Sequence, residues 1–104
     1  MSISFIMKPS KALELHRAEI RAIVSANNFT NPRVFGSVVR GEDIEESDLD
    51  LLVDAALPDR ATLLDHARMK RQLEKLLGVK VDIGTARSLR DYCRDEILRE
   101  AVPV

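Results

Sequence analysis

One cysteine, Cys93, occurs in 104 residues, so the chain can close no internal disulfide and a reducing compartment suits it best. Long hydrophobic runs are also missing. Met1 to Met7 is apolar, yet far too short to cross a bilayer and without the form of a secretory signal. The two histidines, His16 and His66, have no Cys or His partner at zinc spacing, and neither is placed to activate a serine nucleophile. An excess of one charge is absent as well: 16 Lys and Arg stand against 17 Asp and Glu, a net charge of −1. A basic surface for tracking DNA or RNA is therefore not expected. These absences lead to the expectation of a soluble, cytoplasmic protein without membrane or direct nucleic-acid contacts. No repeat, low-complexity tract or linker divides the chain, and 45% hydrophobic residues suffice for one modest core, so residues 1–104 read as a single domain.

What is present is an alternation of helical and strand periodicities. Ser10 after Pro9 predicts a helix N-cap, followed by a stripe of Leu13, His16, Ile20, Ile23 and Val24 that ends at Asn27-Asn28. Strands are expected near Arg33 to Phe35, over Leu49 to Asp54 and over Val79 to Ile83. Pro58-Asp59 is expected to open a long helix with Met69, Leu73, Leu76 and Leu77 on its apolar face, closed by Gly78 as a left-handed cap. Ser88-Leu89-Arg90-Asp91 resembles a capping box for a last helix, whose Leu89, Cys93, Glu96 and Ile97 share a face. Cys93 on that stripe is expected to be core rather than a nucleophile, while Tyr92 reads equally as core or as partner-facing. The pattern predicts an α/β (α+β) fold: a small mixed sheet with helices packed mainly on one face.

Charge is unevenly distributed. From Glu42 to Asp54 there are seven acidic residues and no basic one, whereas Arg87, Arg90, Arg94 and Arg99 crowd the last helix. Glu42, Asp43, Glu45 and Glu46 read as a solvated acidic loop. Asp54 reads as the exposed end of its strand.

The most informative segment is Gly36-Ser37, ten residues, then Asp48-Leu49-Asp50. Val34-Phe35 leads into the glycine, and Leu49-Leu51-Leu52-Val53 carries the aspartates. Alternation along a strand points Asp48 and Asp50 to one side, with Leu49 and Leu51 to the other. Two carboxylates so close repel unless a cation sits between them, and Mg²⁺, a hard ion that keeps waters for phosphates to replace, suits that place. Gly36, lacking a Cβ, would let phosphates approach its backbone. A short helix over Ser37 to Arg40 would turn free N–H groups and the Ser37 hydroxyl toward phosphate oxygens, with the forked Arg40 guanidinium in reach.

Phe35-Gly36-Ser37, Arg40-Gly41-Glu42 and Ser47-Asp48-Leu49-Asp50-Leu51-Leu52-Val53 together resemble the signature of the minimal nucleotidyltransferases of the DNA polymerase β-like superfamily. The tail from Ile97 to Val104 resembles the end of these proteins. One departure is visible, Val38 where many members carry arginine, which leaves phosphate contact to Arg40 and backbone groups. The resemblance implies a polymerase β-like palm and a third carboxylate from a neighbouring strand, the place held by Asp82. It implies two Mg²⁺ ions on Asp48, Asp50 and Asp82, with ATP as substrate and Gly36, Ser37 and Arg40 at its phosphates. It also implies a partner, since these proteins are commonly antitoxins of a HEPN-domain ribonuclease toxin, with which they assemble, and some add AMP to a tyrosine hydroxyl of that toxin. Neutralisation by binding alone, through the acidic 42–46 and basic 87–99 patches, and transfer to a small molecule are the alternatives.

Overall fold

The computed structural model describes residues 7–57 and 60–104. In chain order it has α1 (Pro9–Leu15), α2 (Arg17–Ala26), β1 (Phe29–Phe35), α3 (Ser37–Arg40), β2 (Leu49–Ala55), α4 (Leu63–Leu77), β3 (Val81–Gly84), α5 (Asp91–Glu100) and β4 (Val102–Pro103). The sheet runs β3-β2-β1-β4. β2 and β3 are parallel, joined through α4, while β1 is antiparallel to both β2 and β4. The mixed sheet with a helical layer agrees with the sequence-based expectation.

Alternation along the strands builds the core. Val34 of β1, Leu49, Leu51 and Val53 of β2, and Val81 and Ile83 of β3 meet Ala12, Leu13, Ile20, Val24, Met69, Leu73 and Leu77 from α1, α2 and α4. Each fully buried Leu or Ile there contributes on the order of 2 kcal/mol of transfer free energy. Leu52 is equally buried but lies outside that cluster, on the side that alternation gives to Asp50.

Several boundaries differ from those the sequence suggested. The first helix is two, broken at His16 (φ −129°, ψ 24°), and Lys8 rather than Ser10 occupies its N-cap, with Pro9 at the first turn. The backbone N–H of Ser10 donates instead to Asp43 Oδ2 at 2.9 Å, so Asp43, buried among otherwise exposed loop acids, ties the loop to the start of α1. Asn27 does end α2: its buried amide donates to Ile23 O and to Gln72 Oε1 of α4, both at 2.8 Å. β1 begins at Phe29, four residues earlier than expected, its register shifting between Thr30 and Arg33 around Asn31 at φ 54°.

Pro58-Asp59, the expected helix start, lies outside the described residues. α4 begins at Leu63, where a reciprocal box forms: Asp65 N donates to Thr62 Oγ1 at 3.1 Å, and Thr62 N to Asp65 Oδ2 at 3.0 Å. Gly78 closes α4 in the left-handed conformation, as expected. The Ser88 hydroxyl does not cap α5. It accepts from Thr85 N at 2.8 Å within the preceding turn, and Arg90 is the N-cap. α5 has no buried residue, so Cys93 is half-buried rather than core, and Tyr92 is exposed. Among the described residues no helix is long and apolar enough to cross a membrane.

Candidate active site

The antiparallel register places Phe35, the last residue of β1, opposite Asp50. The chain must then leave the sheet without striking that carboxylate. Gly36 achieves this at φ 80° and ψ −149°, a conformation closed to residues with a side chain, and caps α3 through bonds from Val39 N (3.1 Å) and Arg40 N (3.3 Å) to its carbonyl. The short helix expected over Ser37 to Arg40 is present, and its second glycine, Gly41, ends it. Ser37 is half-buried at its start.

The parallel register of β2 and β3 pairs Asp50 with Asp82. Asp48 stands two residues before Asp50, immediately ahead of β2. Asp50 and Asp82 are neighbours in register, and the charges of both Asp82 and Asp48 act on Asp50. Asp50, half-buried, is pushed up to about 6 from the ordinary carboxylate value, first by burial, then by the charge of Asp82, then by that of Asp48. Arg40 opposes the rise, and Glu100 adds to it. Asp48 and Asp82 are exposed. Among the described residues no group of three or more His, Cys, Asp or Glu side chains stands arranged to hold a metal ion. The donor set nevertheless fits Mg²⁺, which is held through a few carboxylates with waters completing its shell. A group of like charges that repel one another is the kind of site a hard dication relieves.

Arg40 does not stand free. Its Nη1 donates to Glu100 Oε1 at 2.9 Å and its Nε to Glu42 Oε2 at 3.2 Å, and Glu42 foremost strengthens its hold on the proton. Glu100 was not found from the sequence as a site residue. It lies 50 residues beyond Asp50, and only the return of α5 brings it near. Asp54, expected to be an exposed strand end, is only partly so: Arg33 Nη2 reaches it at 2.7 Å and Asn31 Nδ2 at 3.0 Å. His66 packs edge-on to Phe29 and Cys93 Sγ donates to Arg90 O, so both are engaged locally. A cavity of about 410 Å³ lined by Phe29, Ala55, Leu63, His66 and Ile83 contains none of the carboxylates.

Val38, where the resemblance leads one to expect arginine, is packed with Val39 against the core. The guanidinium that acts on Asp50 is that of Arg40.

Comparison with known proteins agrees with this geometry. Residues 17–104 match the model of the nucleotidyltransferase domain. The protein adenylyltransferase MntA of Thermococcus cleftensis is 38% identical over 92 residues, covering 88% of each chain. A relative from Methanocaldococcus jannaschii, provisionally named a protein adenylyltransferase, is 38% identical over 88 residues, 85% of this chain and 92% of its own. Among solved structures, one described as a minimal nucleotidyltransferase superposes with a TM-score of 0.80 at 46% identity, covering 91% of this chain and 95% of that one. A chain of a toxin–antitoxin structure with AMP-PNP shares the fold, with a TM-score of 0.68 at 20% identity over 83% of this chain and 69% of its own. A glycine turn folded over paired strand aspartates, matched along nearly the whole chain, makes this protein a member of the nucleotidyltransferase-domain family in its minimal form, and a nucleotidyltransferase enzyme.

Proposed function

We propose that this nucleotidyltransferase is a Mg²⁺-dependent protein adenylyltransferase that transfers AMP from ATP to a hydroxyl, a tyrosine's, on a partner HEPN-domain ribonuclease toxin, and so serves as its antitoxin. The observation that carries the reading is Asp50, flanked by Asp48 and Asp82 and raised to about 6 by burial and their charges at the Gly36 turn. The adenylyltransferase relatives support protein as the acceptor class. So does size, since Asp48 and Asp82 are exposed and 104 residues leave little room for a pocket that closes over a second substrate.

Asp48 and Asp50 would hold Mg²⁺, with Asp82 completing the place of a second ion beside the acceptor. Bound Mg²⁺ supplies neutralisation of the triphosphate and a lowered pKa for the acceptor hydroxyl. The chain's own contribution is positioning. Gly36 and the opening N–H groups of α3 would receive the phosphates, and Arg40 would offset charge on the departing pyrophosphate. The acceptor oxygen bonds to the α-phosphorus as the bond to pyrophosphate breaks, and the hydroxyl proton is taken up at the Asp82 carboxylate.

Mass spectrometry of the partner after incubation with this protein, ATP and Mg²⁺ tests the proposal. A gain of one or more AMP units is expected, and none with Asp48→Asn/Asp50→Asn. Neutralisation of the toxin by that doubly substituted protein, with no mass gain from the wild type, would establish binding alone as the mode of action.

A further inference from the structure

Glu100, in the last turn of α5, reaches the carboxylate site from outside the Gly-Ser and Asp-x-Asp segment. Its Oε1 accepts from Arg40 Nη1 at 2.9 Å. The other acid on this guanidinium, Glu42, differs in setting: its side chain is 64% exposed, against 18% for Glu100. Both Arg40 and Glu100 stand close enough to Asp50 to act on its charge, in opposite directions. A largely buried carboxylate whose charge acts on Asp50 is unfavourable unless a cation compensates it, and Arg40 is the cation that does so.

The chain fixes Glu100 from both sides. Upstream, Arg94 donates to Ala86 O at 2.8 Å and Leu89 O at 2.9 Å, seating α5 on the loop after β3. Downstream, one residue separates Glu100 from β4, where Val102 pairs with Val34 and Pro103 with Arg33. Val104 N donates to Pro32 O at 3.0 Å, and Arg21 Nη1 holds Val104 O at 3.1 Å. Glu42, by contrast, follows a four-residue helix and sits in solvent. An arginine held by that acid alone would keep most of its rotamer freedom, which a ligand would then have to remove on binding.

We propose that Glu100 is a positioning residue of the nucleotide site: acting through Arg40, it holds the guanidinium at the rim of the Asp48, Asp50 and Asp82 cluster, where an incoming triphosphate arrives. The assignment rests on the ATP reading above and adds to it a residue from the far end of the chain. It explains why a negative side chain is tolerated beside a site that must receive a polyanion. The carboxylate's charge is offset by that of the arginine, whose side chain stays half-exposed.

Calorimetric titration of the full chain with ATP and Mg²⁺, alongside transfer kinetics, tests it in Glu100→Gln, Arg40→Gln and the double variant, each checked by thermal melting. Glu100→Gln is expected to weaken ATP binding about 5–10-fold, with any fall in kcat no larger than that of Arg40→Gln. The double variant is expected to bind no more weakly than Arg40→Gln, since a residue acting through another adds nothing once the other is gone. Independent, multiplying losses would overturn the proposal, as would wild-type affinity in Glu100→Gln or a fall in kcat at unchanged affinity. Should Glu100→Gln fail to fold, Arg40→Lys carries the test. It keeps the charge but loses the fork, and must weaken binding about as much, wild-type affinity refuting the assignment. ATP binding without transfer to any protein would remove the adenylylation reading and leave Glu100's role standing. No binding by the wild type would remove both.

Discussion

A side chain at position 36 would collide with Asp50: a Cβ there would lie 3.2 Å from its Cγ and nearer still to Oδ2. The glycine that the sequence suggests for the close approach of phosphates is first required by the protein's own carboxylate. The turn and the aspartate are one construction. Gly36 lies close against the half-buried Asp50 carboxylate, and burial is the first cause of its raised pKa.

Gly36→Ala is accordingly expected to be costly twice over, in backbone strain at positive φ and in displacement of the Asp50 carboxylate. We expect a loss of about 2–4 kcal/mol in urea unfolding and no measurable transfer. Gly78→Ala supplies the comparison: it has similar φ, 69°, but nothing within 4 Å of the added Cβ. It should cost about 1 kcal/mol and leave transfer intact.

Asp50 is a liability to the metal-free fold. Its pKa rises from 3.8 unfolded to about 6 folded, so the unfolded chain holds its charge more readily at neutral pH. The folded state gains stability as pH falls from about 7 to about 4, and loses that gain as pH rises through 6. Asp50→Asn is therefore expected to stabilise the protein by on the order of 1 kcal/mol at pH 7 without Mg²⁺, after allowance for solvent screening. The advantage should vanish near pH 4, as followed by thermal melts across that range.

Asp43 tests the anchoring of the acidic loop. Its Oδ2 satisfies the N–H of Ser10 in the first turn of α1, an N-terminal bond made from 33 residues away. Asp43→Ala should cost about 1 kcal/mol, whereas Glu45→Ala, in the exposed part of the same loop, should be neutral within about 0.5 kcal/mol. Equal effects in denaturant titrations would remove the distinction.

The order of helices and strands is legible because it rests on local periodicity. Leu49 to Val53 is an apolar run broken only by Asp50, Met69 to Leu77 repeats at helical spacing, and Gly78 ends the run. The site's core, Gly36 with Asp48 and Asp50, is legible because its chemistry is packed into fifteen residues. What escapes is set by contacts distant in sequence, or by a choice between competing local hydrogen bonds. The loop acid Asp43 seats α1, Thr62 opens α4 by pairing with Asp65, and the Ser88 hydroxyl turns back to Thr85. The last residues become a strand only because β1 offers them an edge, and Glu100 meets Arg40 only because that strand holds α5 in place.

The assignment of Asp82 rests on its register opposite Asp50, and charge offers a readout independent of turnover. Asp82 raises Asp50 more than Asp48 does. Carboxyl-detected NMR titration of the Mg²⁺-free protein should therefore show the Asp50 midpoint, about 6 in the wild type, moving further down in Asp82→Asn than in Asp48→Asn. Asp82 is exposed on its strand, so its neutralisation should leave the melting temperature within about 2 °C, while transfer falls at least ~100-fold for want of the acceptor-side carboxylate. An Asp82→Asn protein with an unmoved Asp50 midpoint and undiminished transfer would reduce the residue to an ordinary polar group on an edge strand. A moved midpoint with undiminished transfer would keep Asp82 beside the site but take the proton of the acceptor hydroxyl elsewhere.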